Sequence, residues 1–556
     1  MKITFTSYSC RSLVAHATKY CCFICLAFSG VFLSSHVLAA SSPVGSYNKS
    51  CSAISVAGDT LLATCEKLDS SVNNTSLSNL AACLSSINQY GDIGNIDGNL
   101  ICLPDLPKAD SGFKFPESET TVNAWVYGSD TTKIVDHGWG IWAGLTSVVG
   151  AVDGVNVLAF ETWNTPTNMI YQIETLSSSV AGNKQKLKKA GVTGLIAKPP
   201  RLELALPHQF KNRKDLNGKL KNAIKAATPS DGDTNIFVSV AYNPPAAQHA
   251  ISNKLFLQST LNKYIEQGYT DIPNFPNNAI TIKPVYKVIT AANTVNGIYT
   301  FPGWPGTPDP ARTFAESDWD SCAYIDVNGS GPGGNSIDLG CKGRDSTNTF
   351  FLSNFIHNKI TSDDAKYLKS QLGITASAGD YAILVGMHVT SREIKRWAWQ
   401  TFFWTANTSN PYSPSSASIA AQQPSSLAAA AKHYAMSIAY QMVDPAQPIT
   451  GGANVGQSHI AYNPHLEASF DQQVFQINRA IGGTQYNEFG VQTNCMTCHN
   501  LAQYDPKVNY SENSGANRET PYGTDYYMSI DDQVFDKVLR LDFAWSIIGS
   551  LKLDDQ

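Results

Sequence analysis

The spacing of the cysteines constrains the fold and chemistry of this chain more than any other feature of its sequence. The twelve cysteines among the 556 residues fall into three groups. Four lie within the first 25 residues, six form pairs that are close in sequence, and two belong to the segment GVQTNCMTCHN at 490–500. Each group predicts a different chemistry, and the first group decides how the other two are interpreted.

The first forty residues have the three parts of a secretory signal. Basic residues come first, an apolar segment follows at 21–33, and Val37 and Ala39 are suitably placed for cleavage. We expect residues 1–39 to be removed, with cleavage after Ala39 or Ala40. The alternative is a membrane anchor, but about thirteen apolar residues are short against the roughly twenty that span a bilayer. We therefore expect no permanent membrane span and a periplasmic or secreted protein.

Export makes disulfides the expected state of the six paired cysteines. Disulfides persist in oxidising compartments outside the cytoplasm, and the signal removes four of the twelve cysteines. The six that do not belong to the segment at 490–500 form three local pairs, which predict three bridges: Cys51–Cys65, Cys83–Cys102 and Cys322–Cys341.

The segment CMTCH at 495–499 has the C-x-x-C-H pattern that covalent c-type haem requires. Two thiols add to the vinyl groups of the macrocycle, and the adjacent histidine ligates the iron. By this motif alone the region resembles the c-type cytochromes, which implies one haem c attached through Cys495 and Cys498 with His499 as the proximal ligand. Two alternatives remain open: a redox-active C-x-x-C disulfide, and half of a zinc site that lacks its second cysteine pair.

The composition indicates a folded protein and argues against some classes of partner. Charged residues are 15%, hydrophobic residues are 43% and the net charge is −5, which is typical of a folded rather than a disordered chain. The sequence has no basic stripe, so we expect no nucleic-acid partner. The length suits about two to four domains.

Residues 44–105 predict a small β module. The alternation in SYNKSC, AISVAG and LLATCE is typical of short half-buried strands, and VAGD and IDGN place turn residues between apolar runs. The order of these residues, continued by IGNIDGNL at 93–100, resembles the cyanovirin-N homology (CVNH) family of carbohydrate-binding lectins. The resemblance covers residues 44–102, and the Cys51 to Cys65 separation suits the hairpin-closing disulfide of that family.

The resemblance implies a glycan as a partner of this module. The implied sugar-binding positions are Lys49 and Ser50 at the start of a strand, and Glu66, Lys67 and Asp69 after the second cysteine. Polar groups around a shallow groove hydrogen-bond sugar hydroxyls. The family uses two repeats that exchange strands, and one convincing copy occurs here, which suggests a strand-swapped dimer. A module that keeps the fold without the sugar site is the alternative.

Residues 113–404 predict a large mixed α/β region. Apolar spacing predicts two helices, at 213–226 and 244–268, and three strands, at 236–242, 279–290 and 381–389. Clusters of tryptophan in this region indicate buried core. The Ser-, Ala- and Pro-rich segment 405–431 predicts a linker or a long surface loop, and it is the best internal boundary.

Residues 432–556 predict a mainly helical haem-binding region. Apolar residues at helical spacing predict one helix over 531–551, which packs over the macrocycle through Phe543 and Trp545 or belongs to the main core. Met528 is the predicted second axial ligand. An empty sixth position is one alternative to it, and a histidine is another: His388, His433, His459 or His465.

The predicted fold class is therefore multidomain α+β, with a disulfide-stapled β module, a mixed α/β middle and a helical C-terminal region. The predicted function is that of an exported c-type monohaem protein with an electron-transfer or redox role, served by a redox partner protein. A haem-dependent oxidoreductase activity stays open. The alternative function is that of a glycan-binding, adhesin-like protein in which the C-x-x-C-H site is structural.

Overall fold

The computed structural model describes most of the chain between Pro43 and Leu553. The residues outside the description are 1–42, 44, 68–70, 88–90, 97, 105, 107–112, 153–154, 178–235, 370–373, 471–488, 509, 511–525 and 554–556. The predicted signal peptide and the predicted helix at 213–226 lie outside the described residues, as does Asp69.

The N-terminal module consists of a sheet, a helix and a hairpin. Its elements are β1 (Cys51–Ala57), β2 (Thr60–Glu66), β3 (Val72–Ser78), α1 (Leu80–Ser86), β4 (Asp92–Ile96) and β5 (Asn99–Leu103). The first three strands form an antiparallel sheet in chain order, and β4 pairs with β5. The predicted bridges Cys51–Cys65 and Cys83–Cys102 are both present. The first joins directly opposed residues of β1 and β2, so it closes that hairpin.

The chain then enters the main body through helices and a second hairpin. These elements are α2 (Glu119–Tyr127), α3 (Thr131–Leu145), β6 (Val148–Val152), β7 (Val155–Leu158) and α4 (Pro166–Ser177). The carboxylate of Asp130 caps α3 by accepting from the backbone N–H of Lys133 at 3.1 Å. The tryptophan-rich segment at 137–145 is buried throughout, as its composition predicts.

The strand predicted at 279–290 is confirmed, and the one predicted at 236–242 is divided into two short strands. This part contains β8 (Ile236–Val238), β9 (Ala241–Tyr242), α5 (Pro244–Ser252), α6 (Gln258–Glu266), β10 (Ile280–Ile289), β11 (Thr294–Val295) and β12 (Ile298–Pro302). The single helix predicted over 244–268 is instead two helices, α5 and α6. Lys254 has a left-handed backbone with φ of 52°, which interrupts the helical hydrogen bonding between them.

The next part supplies the third disulfide and the longest strand among the described residues. Its elements are β13 (Ser321–Asp326), β14 (Asp338–Leu339), β15 (Thr349–Phe351), β16 (His357–Lys359), α7 (Ser362–Tyr367), β17 (Tyr381–Ser391) and β18 (Ala398–Trp404). Cys322 and Cys341 are bonded as predicted. The strand predicted at 381–389 is β17, and β11 to β15 form a separate five-stranded sheet.

The described part of residues 432–553 is not mainly helical, which corrects that prediction. After α8 (Ala417–Ala420), the elements are β19 (Tyr434–Ala439), β20 (Val443–Asp444), β21 (Gln457–Ser458), α9 (Cys495–Asn500), β22 (Gln503–Tyr504), β23 (Leu539–Arg540) and α10 (Trp545–Gly549). The helix predicted over 531–551 is wrong, because β23 pairs with β22 and Asp542 forms an ion pair with Arg392. These tertiary contacts override the local helical pattern.

The main sheet joins the middle of the chain to the region after the predicted linker. Its antiparallel strands lie in the order β19, β18, β17, β10 and β8, with β16 beside β17 and β9 beside β10. The segment 405–431 connects the neighbouring strands β18 and β19, and it packs on α3, where the indole of Trp139 donates to the carbonyl of Ile419 at 2.8 Å.

The two faces of the main sheet bury different side chains. One face, here the apolar face, carries Met387, Phe402 and Met436 and packs on α3, where Trp142 stacks on Phe402 with ring centroids 4.3 Å apart. The opposite face, here the polar face, carries a row of four residues in direct cross-strand register: Lys283, His388, Thr401 and Ser437. The CMTCH helix α9 lies over this polar face.

Candidate functional site

The position of α9 is fixed by a side chain just before it. Asn494 accepts from the backbone N–H of Thr497 at 3.0 Å and caps the helix, while its amide group donates to two backbone carbonyls of other segments. Residues one helical turn apart share a side of a helix. The cap therefore fixes the common direction of three side chains, Cys495, Cys498 and His499.

His499 is held by a backbone carbonyl and an aromatic ring. Its Nδ1 lies 2.9 Å from the carbonyl oxygen of Phe543, and its ring centroid lies 4.2 Å from that of Trp399 on the polar face. Because a carbonyl only accepts, Nδ1 carries the proton and Nε2 carries the lone pair. Among the described residues none hydrogen-bonds to Nε2. Metal-ligating histidines commonly show this arrangement.

The surroundings keep His499 neutral. Burial lowers the pKa of His499 to about 3, and the electrostatic interactions with His388 and Lys283 act in the same direction. The Phe543 carbonyl and the Glu467 carboxylate oppose them without reversing the shift. A neutral imidazole is the protonation state that a metal ligand requires.

The two thiols of the motif lie outside the three disulfides. The sulfur of Cys495 donates to the carbonyl of Ala461 at 3.3 Å. Burial, with the negative charge of Glu467 and the neighbouring Cys498, raises the pKa of Cys495 well above its ordinary value. Redox-active C-x-x-C motifs depend on a lowered thiol pKa. The environment of Cys495 is therefore unlike that of a thiol–disulfide oxidoreductase.

A histidine–carboxylate pair faces the motif from the polar face. Nε2 of His388 lies 3.0 Å from Oε1 of Glu467. Burial alone would raise the pKa of Glu467, but the electrostatic interaction and hydrogen bond with His388 and the charge of Lys283 lower it below its usual value. Burial lowers the pKa of Lys283, and the charges of Glu467 and Cys498 partly restore it. The pair and the lysine are thus electrostatically coupled to the motif.

The motif and the residues that face it are partly exposed within otherwise buried surroundings. Six residues are partly exposed although their flanking residues outside this set are buried: Lys283, His388, Glu467, Cys495, Cys498 and His499. They come from β10, β17, the loop after β21 and α9. We call the space they border the recess. Its walls combine two thiols, two imidazoles, a carboxylate and an ammonium group.

Glu467 is positioned by Asn463 in the same loop. The backbone N–H of Asn463 donates to Oε2 of Glu467 at 2.7 Å, and its side-chain amide donates to Oγ1 of Thr401 at 2.8 Å. Gly386 on β17 makes this close approach possible, because a Cβ atom there would lie 2.6 Å from Nδ2 of Asn463. The loop is therefore fastened to the sheet beside the recess.

Met528 lies against α9. Its carbonyl accepts from Asn500 at 3.2 Å, and the nearby carbonyl of Tyr526 accepts from Thr497 at 3.2 Å. At 100° per residue, Thr497 lies roughly opposite Cys495 and His499 on a helix, whereas Asn500 directly follows His499. The Met528 side chain is buried in a cluster with four neighbours: Leu501, Tyr526, Phe535 and Val538.

Three of the predicted alternative histidines have other surroundings. The ring of His433 is parallel to that of Trp404, at a centroid distance of 6.4 Å, on the apolar face. Both ring nitrogens of His459 are hydrogen-bonded. Nδ1 of His465 lies 2.8 Å from the carboxylate of Glu316. The fourth, His388, is the one that borders the recess.

A cavity of about 500 Å³ lies next to α9 but is separate from the recess. Asn500, Ala502 and Phe543 contribute to its wall, whereas the motif cysteines and His499 do not. Two ion pairs also line it, Arg392–Asp542 and Arg540–Asp271. The first of these pairs holds Asp542. The next residue is Phe543, whose carbonyl accepts the hydrogen bond from His499.

The described sugar positions of the N-terminal module lie close together. Nδ2 of the buried Asn95 donates to Oγ of Ser50 at 3.1 Å and to the carbonyl of Glu66 at 2.9 Å. Oδ1 of Asn95 accepts from the backbone N–H of Gly98 at 2.8 Å, and Lys67 packs over that glycine. Ser50, Glu66 and Lys67 therefore surround one buried asparagine at one end of the β1–β2 hairpin.

The other two implied sugar positions are less fully described. The backbone of Lys49 ends a short 3-10 turn, Ser46–Lys49, directly before β1. Asp69 follows β2 outside the described residues.

Sequence reasoning missed the polar half of the recess. Lys283, Glu467 and Asn463 have no local motif, and they approach the CMTCH helix only through the strand register and the loop after β21. Lys283 did leave one signal, since a charged residue in the strand-forming segment AITIKPVYKVIT is unusual for a buried strand. For Asn95, the signal was its place in the segment IGNIDGN, which is part of the lectin-like resemblance.

Comparisons with known proteins find no relative: no protein-family model, no curated protein and no solved structure matches this chain. Among the described residues, no group of three or more His, Cys, Asp or Glu side chains is arranged to hold a metal ion. Within the same part of the chain, no helix combines the length and apolar character that crossing a membrane requires.

The recess suits a covalently attached haem. Such a group needs two thiols and one imidazole on a helix side with free space, and its iron takes at most two protein ligands. Cys495, Cys498 and His499 are partly exposed on one side of α9, and Nε2 of His499 carries an available lone pair. These three residues would hold the group.

Proposed function

We propose that this chain is an exported c-type monohaem protein with a redox role. Cys495 and Cys498 form the two thioether bonds, and His499 ligates the iron through Nε2. The observation that carries the proposal is the 2.9 Å hydrogen bond between Nδ1 of His499 and the Phe543 carbonyl. It fixes the tautomer and the ring orientation that axial ligation requires.

The surrounding residues support a redox role. A bound haem c supplies one-electron chemistry, and the protein tunes it through axial ligation, hydrogen bonding and burial. The positive charge of Lys283 near His499 favours the less positive, reduced state, and the carboxylate of Glu467 offsets part of that effect. Partial exposure of the motif gives a redox partner protein a place to exchange electrons.

The two non-haem alternatives receive less support. The raised pKa of the Cys495 thiol disfavours a redox-active disulfide, which depends on a thiolate. A zinc site needs further cysteine or histidine ligands, and the described residues contain no such group. Three disulfides elsewhere in the chain are typical of oxidising compartments, in agreement with export and with periplasmic or extracellular haem attachment.

The test is mass spectrometry of the purified exported protein after digestion. The peptide that contains Cys495 and Cys498 is expected to carry one haem, and the corresponding peptide from Cys495→Ala/Cys498→Ala protein is expected to carry none. The disulfide-linked peptides of Cys322 and Cys341 serve as the internal control for export. An unmodified motif peptide beside intact disulfides would refute the proposal.

A second function, glycan binding by the N-terminal module, is supported by the convergence of Ser50, Glu66 and Lys67 around Asn95. If this module binds a glycan, it would concentrate the redox site at a glycan surface by raising its effective concentration. The alternative is a lectin-like, adhesin-like protein in which the haem is structural.

A glycan array with the intact protein tests that second function. Glu66→Ala is expected to weaken binding by about 1–3 kcal/mol, the cost of leaving buried hydroxyl groups unpaired. Ser85→Ala on α1, away from this cluster, is the matched control. Equal binding by both variants, or silence across the array, would leave the module with a structural role.

A further inference from the structure

The histidine–carboxylate pair at the recess is arranged as a base. Nε2 of His388 donates to Oε1 of Glu467, because a carboxylate only accepts, and this fixes the lone pair on Nδ1. Among the described residues none hydrogen-bonds to Nδ1 of His388. A carboxylate that orients one nitrogen of an imidazole while the other faces a ligand is a recurrent device for proton transfer.

A cation stands directly beside this base. Lys283 on β10 is the cross-strand partner of His388 on β17, and opposed side chains on one face are close neighbours. Both are partly exposed to the recess between buried flanking residues. A base and an ammonium group side by side suit a ligand that arrives as a neutral acid and stays as an anion.

The geometry disfavours His388 and Met528 as axial ligands. Nε2 of His388 is engaged by Glu467, so iron ligation through that atom would break a 3.0 Å charge-assisted bond. The Met528 side chain is buried in a separate cluster with Leu501, Tyr526, Phe535 and Val538. A haem held by His499 would therefore leave room for an external ligand.

We propose that the recess binds a small weak acid of the hydrogen peroxide class as its conjugate anion, with His388 as proton acceptor and Lys283 as counter-ion. The O–H bond of the peroxide breaks, the proton goes to Nδ1 of His388, and the electron pair stays on the oxygen of the hydroperoxide anion. No electron is transferred in this step. The proposal rests on the proposed haem function, and it assigns the chain a ligand rather than electron transfer alone.

Hydrogen cyanide is the probe for the proton-transfer step, because it binds ferric iron after losing a proton. The holoprotein is mixed with cyanide, and the association rate is followed in the Soret band. His388→Leu is expected to slow association by about 10²- to 10⁴-fold, the usual worth of a positioned base. The matched control is His357→Leu, a partly exposed histidine on the neighbouring strand β16, and it should behave as wild type.

Carbon monoxide binding to the reduced protein separates proton transfer from structural damage. This ligand carries no proton, so His388→Leu should leave its association rate nearly unchanged. If His388→Leu does not fold, Glu467→Gln gives the same test with a nearly isosteric side chain, with an expected loss of about 10- to 100-fold in the cyanide rate. Lys283→Met should weaken azide affinity by about 10- to 100-fold, as loss of a charge-assisted contact does.

The outcomes distinguish this proposal from the one it rests on. A protein without a Soret band overturns the haem function and this inference together. A haem protein that refuses cyanide, or one in which His388→Leu slows cyanide and carbon monoxide equally, overturns this inference alone. Selective loss of the cyanide rate in His388→Leu supports it.

Discussion

The two faces of the main sheet use the same strands for opposite purposes. The apolar face carries large side chains, among them Met387, Phe402 and Met436, and packs on α3, where Trp142 stacks on Phe402. The polar face presents Lys283 and His388 from the same strands toward the CMTCH helix. Because successive side chains of a strand alternate between faces, one sheet carries its core residues on one face and its reactive side chains on the other.

This difference shows where stability and function reside. Residues of the apolar face stabilise the fold through the apolar area that they bury. Their close packing tolerates no cavity, but it requires no particular functional group. Residues of the polar face and of the loop beside it are held by hydrogen bonds, such as those from Asn463 to Glu467 and Thr401, which fix the orientation of each side chain as well as its position. Substitutions on the two faces should therefore fail in different ways.

The largest effect is expected from Trp142→Ala, which removes the α3 side chain that packs on the apolar face. Trp142 is buried, stacks on Phe402 and donates to the carbonyl of Ala431 at 3.1 Å, so the truncation should cost about 3–5 kcal/mol of unfolding free energy. Urea unfolding measures the loss, and the absorption spectrum of the folded fraction should not change. Trp399→Ala, the matched substitution on the polar face, should change the spectrum as well, because Trp399 contacts His499.

A loss below about 1 kcal/mol for Trp142→Ala would contradict the assignment of this face as the principal core. An unchanged spectrum in Trp399→Ala would contradict the division of roles between the two faces.

An intermediate effect is expected where the loop meets the polar face. Gly386→Ala should destabilise the protein by about 1–3 kcal/mol, because the new methyl group would lie 2.6 Å from Nδ2 of Asn463. Asn463→Ala removes the obstructing group, so the double variant should lose less than the sum of the two single losses. Additive losses would show that the loop does not lie against Gly386.

The sequence predicted the structural features that depend on local pattern. Three disulfides follow from neighbouring cysteines, and β10 and β17 follow from apolar runs of strand length. The polar row was not predictable, because its order depends on which strands pair and in which register. The helix expected over 531–551 failed for a related reason, since Asp542 and β23 are held by residues more than a hundred positions away or in another strand.

The smallest effect is expected beside the edge strand of the sheet, where His459 pairs with Asp444 at 2.9 Å. Burial alone would lower the pKa of His459, but the bond and charge of Asp444 raise it above its usual 6.5. The hydrogen bond from His459, followed by its charge, lowers the pKa of Asp444 below 3.8 despite burial. The histidine thus stabilises the fold when protonated, and the aspartate when ionised.

The stabilisation of the fold by the His459–Asp444 pair should be largest at pH values between the pKa of Asp444 and the pKa of His459. It is lost as the pH falls through the lowered pKa of Asp444 and as it rises through the raised pKa of His459. His459→Gln should cost under about 1 kcal/mol at about pH 5, and less at about pH 8.5. Urea unfolding at both pH values measures the difference, with Asp444→Asn as the control. A larger cost at the higher pH would contradict the assignment.

The central claim is that the recess between the polar face and α9 holds a covalent haem. The most direct test is the visible spectrum of the purified exported protein, oxidised and reduced, before and after acid–acetone extraction. We expect a Soret band that survives extraction in the wild type and is absent after extraction in Cys495→Ser/Cys498→Ser protein, because thioether bonds do not dissociate. A colourless wild-type protein from a host competent in haem attachment would contradict the claim.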